Sequence, residues 1–387
     1  MKFLFGLILV LIFLFFGLGP KLVEKRINQV SEHNPYSISD EASNLHADLF
    51  IGDWHADSTL WNRNLINENE YGHVDIPRLQ KGNVSLQMFT TVSKSPSGLN
   101  YEKNSGESSD SITALTIIQR WPLKTWNNLT ERVIYQAQKL HNFAKNDHDN
   151  FMLIFSKRDL NNYLERKRSK PSLVGGLIGT EGSHALEGNI KNIERLYEEG
   201  FRMMSLHHFF DNKLGGSLHG LSGDGLSNFG IDAINEMIRL GIMIDVSHSS
   251  EKVVEDVLRI TNQPLLVSHT GLYGHCQSSR NISDVLMQKI ASKGGLIGIG
   301  YWNGAVCGNT PKAIADAIRY GIDLVGSNHI ALGSDFDGAV MPAFDTSELS
   351  ALTQELISIG ISEDDIRLVM GDNMLRFLND NLPNNSN

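Results

Sequence analysis

Eight short apolar runs recur along the chain, and six of them end on side chains that can bind a metal. The runs predict strands at residues 49–55, 84–92, 173–180, 202–207, 242–247, 264–268, 295–301 and 329–334. Uninterrupted apolar runs that alternate with helical segments are typical of parallel strands covered on both faces. Eight such strands predict an α/β fold, a (β/α)8 barrel of the TIM type, with its metal site at the carboxyl ends of the strands.

Segments in which apolar residues recur at helical spacing lie between the runs. The expected helices are residues 190–199, 231–240, 251–260, 285–292 and 311–320, followed by two more at 346–359 and 362–370. Glycines lie where helices should end, and they are Gly200, Gly241, Gly294, Gly321 and Gly371. The long stretch 93–171 contains a helical pattern at 111–143 and is expected to form a lid or a flank of the site.

The amino terminus differs from the rest of the chain, because residues 3–18 are apolar or glycine throughout. Lys2 precedes this run and a basic cluster follows it, which is typical of an export signal or a short membrane anchor. We therefore expect residues 1–27 to be a signal sequence or an uncleaved anchor of an exported protein, either membrane-anchored or periplasmic or extracellular. The remaining divisions expected are a polar linker at 28–44, one catalytic barrel domain at 45–380 and a tail at 381–387.

Charge and cysteine content narrow the partners and the compartment. The formal net charge of −10 argues against a nucleic-acid partner, which would require a basic face. Cys276 and Cys307 each lie a few residues past a predicted strand. They are either two free thiols or a disulfide, and the export segment favours the disulfide because exported proteins meet an oxidising environment.

Five side chains at the ends of predicted strands have the chemistry of metal ligands. His55 and Asp57 are two positions apart at the end of the first strand, so both can point toward one metal. Glu181, His248 and His269 end the third, fifth and sixth strands. Three imidazoles and two carboxylates exceed what one tetrahedral catalytic zinc needs. We therefore expect two zinc ions, with Glu181 bridging them.

Several motifs resemble those of one family. They are His55-Ala56-Asp57, Glu181-Gly182, Leu206-His207-His208-Phe209-Phe210-Asp211-Asn212, Ile244-Asp245-Val246-Ser247-His248, Ser268-His269, Ser279-Arg280-Asn281 and Gly333-Ser334-Asp335-Phe336-Asp337-Gly338. Over residues 45–380 the chain resembles the membrane (renal-type) dipeptidases and their bacterial relatives, which are binuclear zinc peptidases with an amidohydrolase-like barrel. The resemblance implies a zinc metallopeptidase that hydrolyses dipeptides to free amino acids by a metal-bridging hydroxide. Relatives are often dimers, so the resemblance also leaves a homodimer open.

The resemblance gives each candidate ligand a role. His55 and Asp57 are similar to the ligands of the family's first zinc. Glu181 is similar to the bridging ligand, and His248 and His269 are similar to the ligands of the second zinc.

Further residues resemble the family's substrate and proton-transfer groups. His208 is similar to the histidine that contacts the substrate carbonyl, Arg280 to the residue near the substrate carboxylate, and Asp335 to the acid/base beside the metals. Asp337 is an alternative acid/base, because strand alternation would place it on the same face as Asp335.

Other positions bear on the shape of the site. Tyr301 and Trp302, at the end of the seventh strand, are candidates for a substrate side-chain pocket, with simple packing as the alternative. Trp54 and Ala56 depart from the Asp-Gly-His-Asn-Asp sequence common among relatives, so we expect altered ligand support or pocket shape. The two cysteines fall where relatives have a disulfide, and His219 is expected on the surface, in a loop or beside the ligands.

Two other classes of function remain open. One is a related metal-dependent amidohydrolase that acts on β-lactams or N-acyl amino acids, for which Arg280 would again bind a carboxylate. The other is a noncatalytic, membrane-tethered protein with a degenerate metal site. The complete set of five ligands together with Asp335 disfavours this second class.

Overall fold

The computed structural model describes residues 14–385. Most of the apolar amino-terminal run, on which the expected signal or anchor depends, lies outside these residues. Among the residues that are described, no helix combines the length and the apolar character needed to cross a membrane.

Eight of the nine parallel strands in the sheet close into a barrel. The strands of the sheet are β1 (Ile51–Ala56), β2 (Val84–Val92), β3 (Phe151–Leu153), β4 (Val174–Glu181), β5 (Phe201–Ser205), β6 (Met243–Asp245), β7 (Leu266–Thr270), β8 (Leu296–Ile299) and β9 (Ile330–Leu332). Around the barrel the order is β1, β2, β4, β5, β6, β7, β8 and β9, and β9 pairs with β1 again. The predicted TIM-type fold and all eight predicted strands are therefore confirmed.

Strand β3 was not predicted. It pairs in parallel with the first residues of β4, outside the ring of eight. The strand is only three residues long and contains no distinctive alternation, which explains why the sequence pattern does not reveal it.

Helices connect the strands and cover the barrel. They are α1 (Gly19–Ile27), α2 (Asp40–Asp48), α3 (Ile76–Lys81), α4 (Ser111–Ile118), α5 (Lys124–Asn127), α6 (Leu129–Asn146), α7 (Lys157–Ser169), α8 (Lys191–Glu198), α9 (Asn228–Leu240), α10 (Glu251–Ile260), α11 (Asp284–Ser292), α12 (Asn303–Val306), α13 (Pro311–Val325), α14 (Ser350–Ser358), α15 (Glu363–Arg367) and α16 (Asn373–Asn381). Short 3-10 turns occur at Ser58–Leu60, Ser183–Leu186, Ser327–His329 and Thr346–Glu348, and π-helical turns at Leu14–Leu18 and Leu368–Asp372.

Capping residues set several helix boundaries. Helix α9 begins three residues before its predicted start, because the Ser227 side chain accepts a hydrogen bond from Gly230 N and caps the first turn. Gly200, Gly241 and Gly294 adopt positive φ angles, which matches their predicted place at helix ends.

Two predicted helix ends are wrong. Helix α13 continues through Gly321 to Val325, and Gly326, with φ of 87°, follows its last residue. Gly371 lies inside a π-helical turn that leads directly into α16. A Cβ atom at Gly371 would lie 1.8 Å from the Phe50 carbonyl oxygen, so close approach to the residue before β1 requires this glycine.

The segment 28–44 is attached to the barrel at several points. Ser31 N donates to Pro342 O at 3.0 Å, and Tyr36 Oη donates to Ala343 O at 2.8 Å. Helix α2 begins at Asp40, within the predicted linker, and its residue Ala42 is fully buried. These contacts fix the segment beside the loop that follows β9.

One hydrophobic cluster fills the barrel interior. It takes a side chain from each of the eight barrel strands: Trp54, Leu86, Leu177, Met203, Met243, Leu266, Leu296 and Ala331. Met374 and Phe377 of α16 join the same cluster, so the carboxy-terminal helix helps to close one end of the barrel. The polar ligand candidates lie at the other end, where the parallel strands finish.

Candidate metal centre

Glu181, the last residue of β4, is the centre of the polar cluster at the barrel mouth. Its Oε1 atom lies 3.4 Å from His55 Nε2, 3.5 Å from His269 Nε2 and 3.4 Å from His248 Nε2. Its Oε2 atom lies 3.4 Å from His208 Nε2. Side chains from the ends of different strands are thus brought together around one carboxylate.

Two groups of potential ligand atoms share Glu181. One consists of His55, Glu181, His269 and Asp335, and the other of Glu181, His208 and His248, with the ligand atoms of each group within 4.8 Å of one another. The expected pairing of His248 with His269 is present too, with their Nε2 atoms 3.0 Å apart. The structure therefore brings the predicted ligands His55, His248 and His269 together around the Glu181 carboxylate.

Asp57 follows β1 directly and lies at the edge of this cluster. Its Oδ1 atom is 3.7 Å from His55 Nε2 and accepts a hydrogen bond from Thr90 Oγ1 at 2.6 Å. Thr90, on β2, had no predicted role, and its hydroxyl fixes the orientation of the Asp57 carboxylate.

The charges of the cluster suit a cation. Burial alone would raise the pKa of Glu181, but His208, His248 and His55 hold it well below its usual range, so the carboxylate is ionised. Burial, followed by the positive charge of Arg280, lowers the pKa of His248 well below its usual range. Neutral imidazole is the form that binds metals, so His248 is ready to act as a ligand.

His55 shows where positive charge is favoured. Burial would lower its pKa, but Asp57 and then Glu181 raise it well above its usual range. Its Nε2 atom is buried and has no hydrogen-bond partner among residues 14–385. Two carboxylates thus attract positive charge to this atom, whether as a proton or as a metal ion, and a mixed set of imidazole and carboxylate donors fits zinc.

A buried network behind the histidines determines which nitrogen faces the cluster. Ser268 Oγ donates to Asp245 Oδ2 at 2.7 Å, so its lone pairs face the Nδ1 atoms of His55 and His269, each 3.1 Å away. Both rings therefore carry a proton on Nδ1, and the Nε2 atom of each ring is the one that faces Glu181. Ser247 Oγ also donates to Asp245, at 2.8 Å.

The sequence interpretation missed the role of Asp245 and Ser268. Both residues lie in the motifs that carry the family resemblance, and each precedes a predicted ligand by a few positions or less. Their position at or near the carboxyl ends of ligand-bearing strands was the available signal, because such strands also carry the groups that orient the ligands.

Asp335 reaches the cluster from the loop after β9. Its Oδ1 atom lies 3.9 Å from His55 Nε2, and burial raises the pKa of its carboxyl group well above the usual range. Its φ angle is 61°, a conformation that costs energy for a residue with a side chain and that recurs at functional sites. His248 has φ of 59° and shares this feature.

Asp337 does not share the face of Asp335. Strand β9 ends at Leu332, so strand alternation does not apply to these residues, and the argument that placed both carboxylates together is wrong. The Asp337 carboxylate is fully buried, pairs with Arg63 NH2 at 2.6 Å and accepts a hydrogen bond from Ser58 Oγ at 2.6 Å. It is therefore a structural anion, which leaves Asp335 as the acid/base candidate.

A cavity of about 640 Å³ opens over the cluster. Its wall contains His208, Arg280 and Trp302 from the predicted site, together with Tyr101 and Phe209. Trp302 Nε1 donates to Tyr101 Oη at 3.0 Å.

Tyr301 and Trp54 do not belong to the wall of this cavity. Tyr301 is buried, and its ring packs against Phe336 and Phe344 at centroid distances of 5.5 and 5.6 Å. Trp54 packs edge-to-face against Phe377 at 5.6 Å in the barrel interior. The bulk of Trp54 is therefore accommodated within the barrel, and it does not narrow the cavity over the cluster.

His219 lies beside the site, and the sequence interpretation gave this residue no specific role. Its Nδ1 atom lies 2.7 Å from Tyr101 O, and its ring stacks on Phe209 at 4.7 Å. The ring centroid is 5.2 Å from that of His248. Because this residue comes from a long irregular loop after β5, no periodicity in the sequence indicates its position.

Arg280 is a buried cation at the cavity wall. Its side chain is fully buried, its NH2 group lies 3.2 Å from His248 Nε2, and its guanidinium lies over the Trp302 ring at 5.3 Å. Among residues 14–385, no carboxylate forms an ion pair with this guanidinium. A desolvated cation without an anionic partner is suited to bind an anionic group of a ligand.

The predicted disulfide is confirmed. Cys276 and Cys307 are bonded, with their Cα atoms 5.4 Å apart, and they link the loop after β7 to the end of α12. Asn281 Nδ2 donates to Cys276 O at 2.8 Å and to Ala305 O at 3.0 Å. The linked loops thus support the segment that carries Arg280.

The family model described as membrane dipeptidase (Peptidase family M19) matches residues 39–386. The chain therefore belongs to this family of metal-dependent dipeptidases, and the predicted family is confirmed.

Two curated relatives agree with this assignment. The chain is 29% identical to dipeptidase aclJ of Aspergillus oryzae (strain ATCC 42149 / RIB 40) over 360 residues, which cover 85% of this chain and 78% of the relative. It is 31% identical to dipeptidase verJ of Clonostachys rogersoniana over 216 residues, or 53% of this chain and 55% of the relative.

Solved structures confirm the fold. A metallo peptidase from Rhodobacter sphaeroides, liganded with a phosphinate mimic of the dipeptide L-Ala-D-Ala, has a TM-score of 0.69 at 20% identity, with 86% of this chain and 99% of that one covered. The probable dipeptidase PvdM from Pseudomonas aeruginosa has a TM-score of 0.71 at 19% identity, with 88% and 97% covered.

The Ser268 network leads to a prediction about metal affinity. Replacing Ser268 with Ala removes the acceptor that holds both Nδ1 protons, so we expect zinc affinity to fall about 10- to 100-fold. Competition with a chromogenic chelator measures this change. Ser292→Ala, at an exposed helix position, is the matched control and should leave affinity unchanged. Equal affinities of the wild type and Ser268→Ala would contradict the orienting role of this hydroxyl.

Proposed function

We propose that this protein hydrolyses dipeptides with two zinc ions at the Glu181 cluster. The observation that carries the proposal is the position of Arg280, a buried cation next to the ligand His248. A substrate carboxylate bound by Arg280 would bring the nearest peptide bond to the cluster. A free carboxy terminus one residue away from the scissile bond is the defining feature of a dipeptide.

The residues that would hold the ions are those that face Glu181. We assign His55 and Asp57 to one ion, His248 and His269 to the other, and Glu181 to both. Bound divalent ions supply Lewis acidity toward the substrate carbonyl and lower the pKa of a water molecule.

Asp335 is assigned the proton transfers. Hydrolysis requires the loss of a proton from the attacking water and the gain of a proton by the amine as the C–N bond breaks. The Asp335 carboxylate would accept the proton of the water and then, as the carboxylic acid, deliver that proton to the amine. The raised pKa of this buried group helps it to hold the proton between the two steps. Its membership of the His55 group of potential ligand atoms supports this role.

His208 is assigned to the carbonyl oxygen. Its Nδ1 atom lies 2.9 Å from Lys94 O, which can only accept, so Nδ1 carries a proton and Nε2 faces the cavity. From this position the ring can stabilise the oxygen on which negative charge develops.

We further propose that the protein acts outside the cytosol. The disulfide supports this location, because such bonds persist in oxidising compartments. The apolar run at residues 3–18 supports export and attachment to a membrane.

The first test is an activity panel with the full chain after chelation and zinc restoration. Dipeptides should be cleaved only after zinc is restored, whereas a tripeptide, an N-acyl amino acid and a β-lactam should not be cleaved. Initial rates of amine release measure the reaction. Zinc binding without cleavage of any dipeptide would instead favour a different amidohydrolase or a degenerate site.

Replacing Asp335 with Asn tests the proton-transfer role. We expect turnover to fall about 100-fold or more, because general acid and base catalysis by this group would be lost. The variant should still bind two zinc ions, which elemental analysis measures. Asp323→Asn, at an exposed helix position, is the control. Near-normal turnover of the Asp335 variant would show that another group transfers the proton.

Replacing Arg280 with Lys tests carboxylate recognition. A lysine keeps the charge but loses the planar fork, so the KM for dipeptides should rise about tenfold. For the corresponding dipeptide methyl ester, KM should change much less, because no carboxylate is present to bind. Arg259→Lys, which is exposed, is the matched control. Equal rises in KM for acid and ester would rule out a carboxylate contact.

A further inference from the structure

Helix α1 is fixed beside the active-site mouth by buried polar contacts. Glu24 is 3% exposed and forms an ion pair with Arg63, which also pairs with Asp337. The next residue after the helix, Asn28, is buried and accepts a hydrogen bond from Ala339 N at 3.1 Å. Because Asp337 and Ala339 belong to the loop that carries Asp335, the helix is attached to the same loop as the acid/base candidate.

The apolar side of α1 forms part of the cavity wall. Val23 and Ile27 line the cavity, and Val23 packs against a buried cluster that includes Trp61 and Ile112. Leu115 and Ile118 of the neighbouring helix α4 line the same cavity, and α1 contacts α4 directly. Two helices therefore present aliphatic side chains to the cavity.

This apolar wall lies opposite Arg280. Helix α4 belongs to the connection after β2, and Arg280 belongs to the connection after β7. In the ring of eight strands β2 and β7 are four positions apart, so the two connections stand across the barrel mouth from each other. A substrate that is held by its carboxylate at Arg280 extends its other end toward the apolar wall.

We infer that Val23 and Ile27 of α1, together with Leu115 and Ile118 of α4, bind a bulky apolar side chain on the amino-terminal residue of the dipeptide. The inference rests on the proposed dipeptidase function. Helix α1 precedes residue 39, where the family match begins, so this part of the specificity surface belongs to the chain's own amino-terminal segment. A large apolar side chain gains from burial against this wall, whereas a glycine at the same position gains nothing.

The test compares Phe-Ala with Gly-Ala as substrates of the full chain in detergent. Wild type should prefer Phe-Ala, and Val23→Ser and Ile118→Ser should each reduce the ratio of kcat/KM values about tenfold, mainly through KM. Leu22→Ser is the matched control, because Leu22 lies on the same helix but is 65% exposed. The control should retain the wild-type ratio, and thermal unfolding should show that all three variants are folded.

Binding provides a second measurement that does not depend on turnover. Phosphinate mimics of the same two dipeptides are titrated calorimetrically into the zinc-loaded protein. A wild-type preference for the Phe mimic that falls in Val23→Ser and Ile118→Ser supports the apolar wall even if no dipeptide is cleaved, in which case the proposed function alone fails. Equal affinity of the wild type for both mimics, or equal loss for both mimics in the variants, overturns the inference.

Discussion

The shared carboxylate of Glu181 is the feature on which the rest of the site depends. It is ionised although it is buried, because histidines from four strand ends surround its two oxygens. A buried anion is stable only when positive charge or hydrogen-bond donors compensate for the lost water. The cluster therefore requires the barrel to close in the observed register, since a shift of one strand would move a compensating group away.

Residues that lie behind the ligands determine how the ligands are oriented. Asp245 holds two serine hydroxyls, and Ser268 in turn holds the Nδ1 atoms of two histidines. This series of hydrogen bonds fixes the tautomer of each histidine as well as the position of its ring. Coordination to a metal would not by itself fix both. Positive φ angles at His248 and Asp335 show that the loops also bear conformational cost to present these side chains.

The sequence predicted those parts of the protein that repeat or that carry distinctive chemistry. Eight apolar runs were sufficient for the barrel, and ligand residues at strand ends such as His269 were recognised because their positions recur. The backbone conformation of the loop after β9 was not predicted, so Asp337 was wrongly placed on the face of Asp335. The sequence predicts helix ends at Gly321 and Gly371 because a glycine has the same local signature whether it ends a helix or allows close packing. Only the tertiary contacts of the glycine distinguish these two roles, and a single sequence does not reveal those contacts.

The amino-terminal segment is a second case in which the sequence does not reveal tertiary contacts, and here the contacts affect the functional site. The sequence pattern predicts a signal sequence or an anchor over residues 1–27, which gives Glu24 no structural role. In the structure Glu24 lies buried against Arg63, and burial raises the pKa of Glu24 to about 7. Placing a carboxyl group in such surroundings is costly unless the neighbouring cation holds it, so the position of α1 depends on Arg63. Arg63 in turn neutralises Asp337, two residues from Asp335. One buried cation thus joins a helix outside the family match to the loop that carries the acid/base candidate, and a change in the anchoring of that helix would be transmitted to the wall and the chemistry of the same cavity.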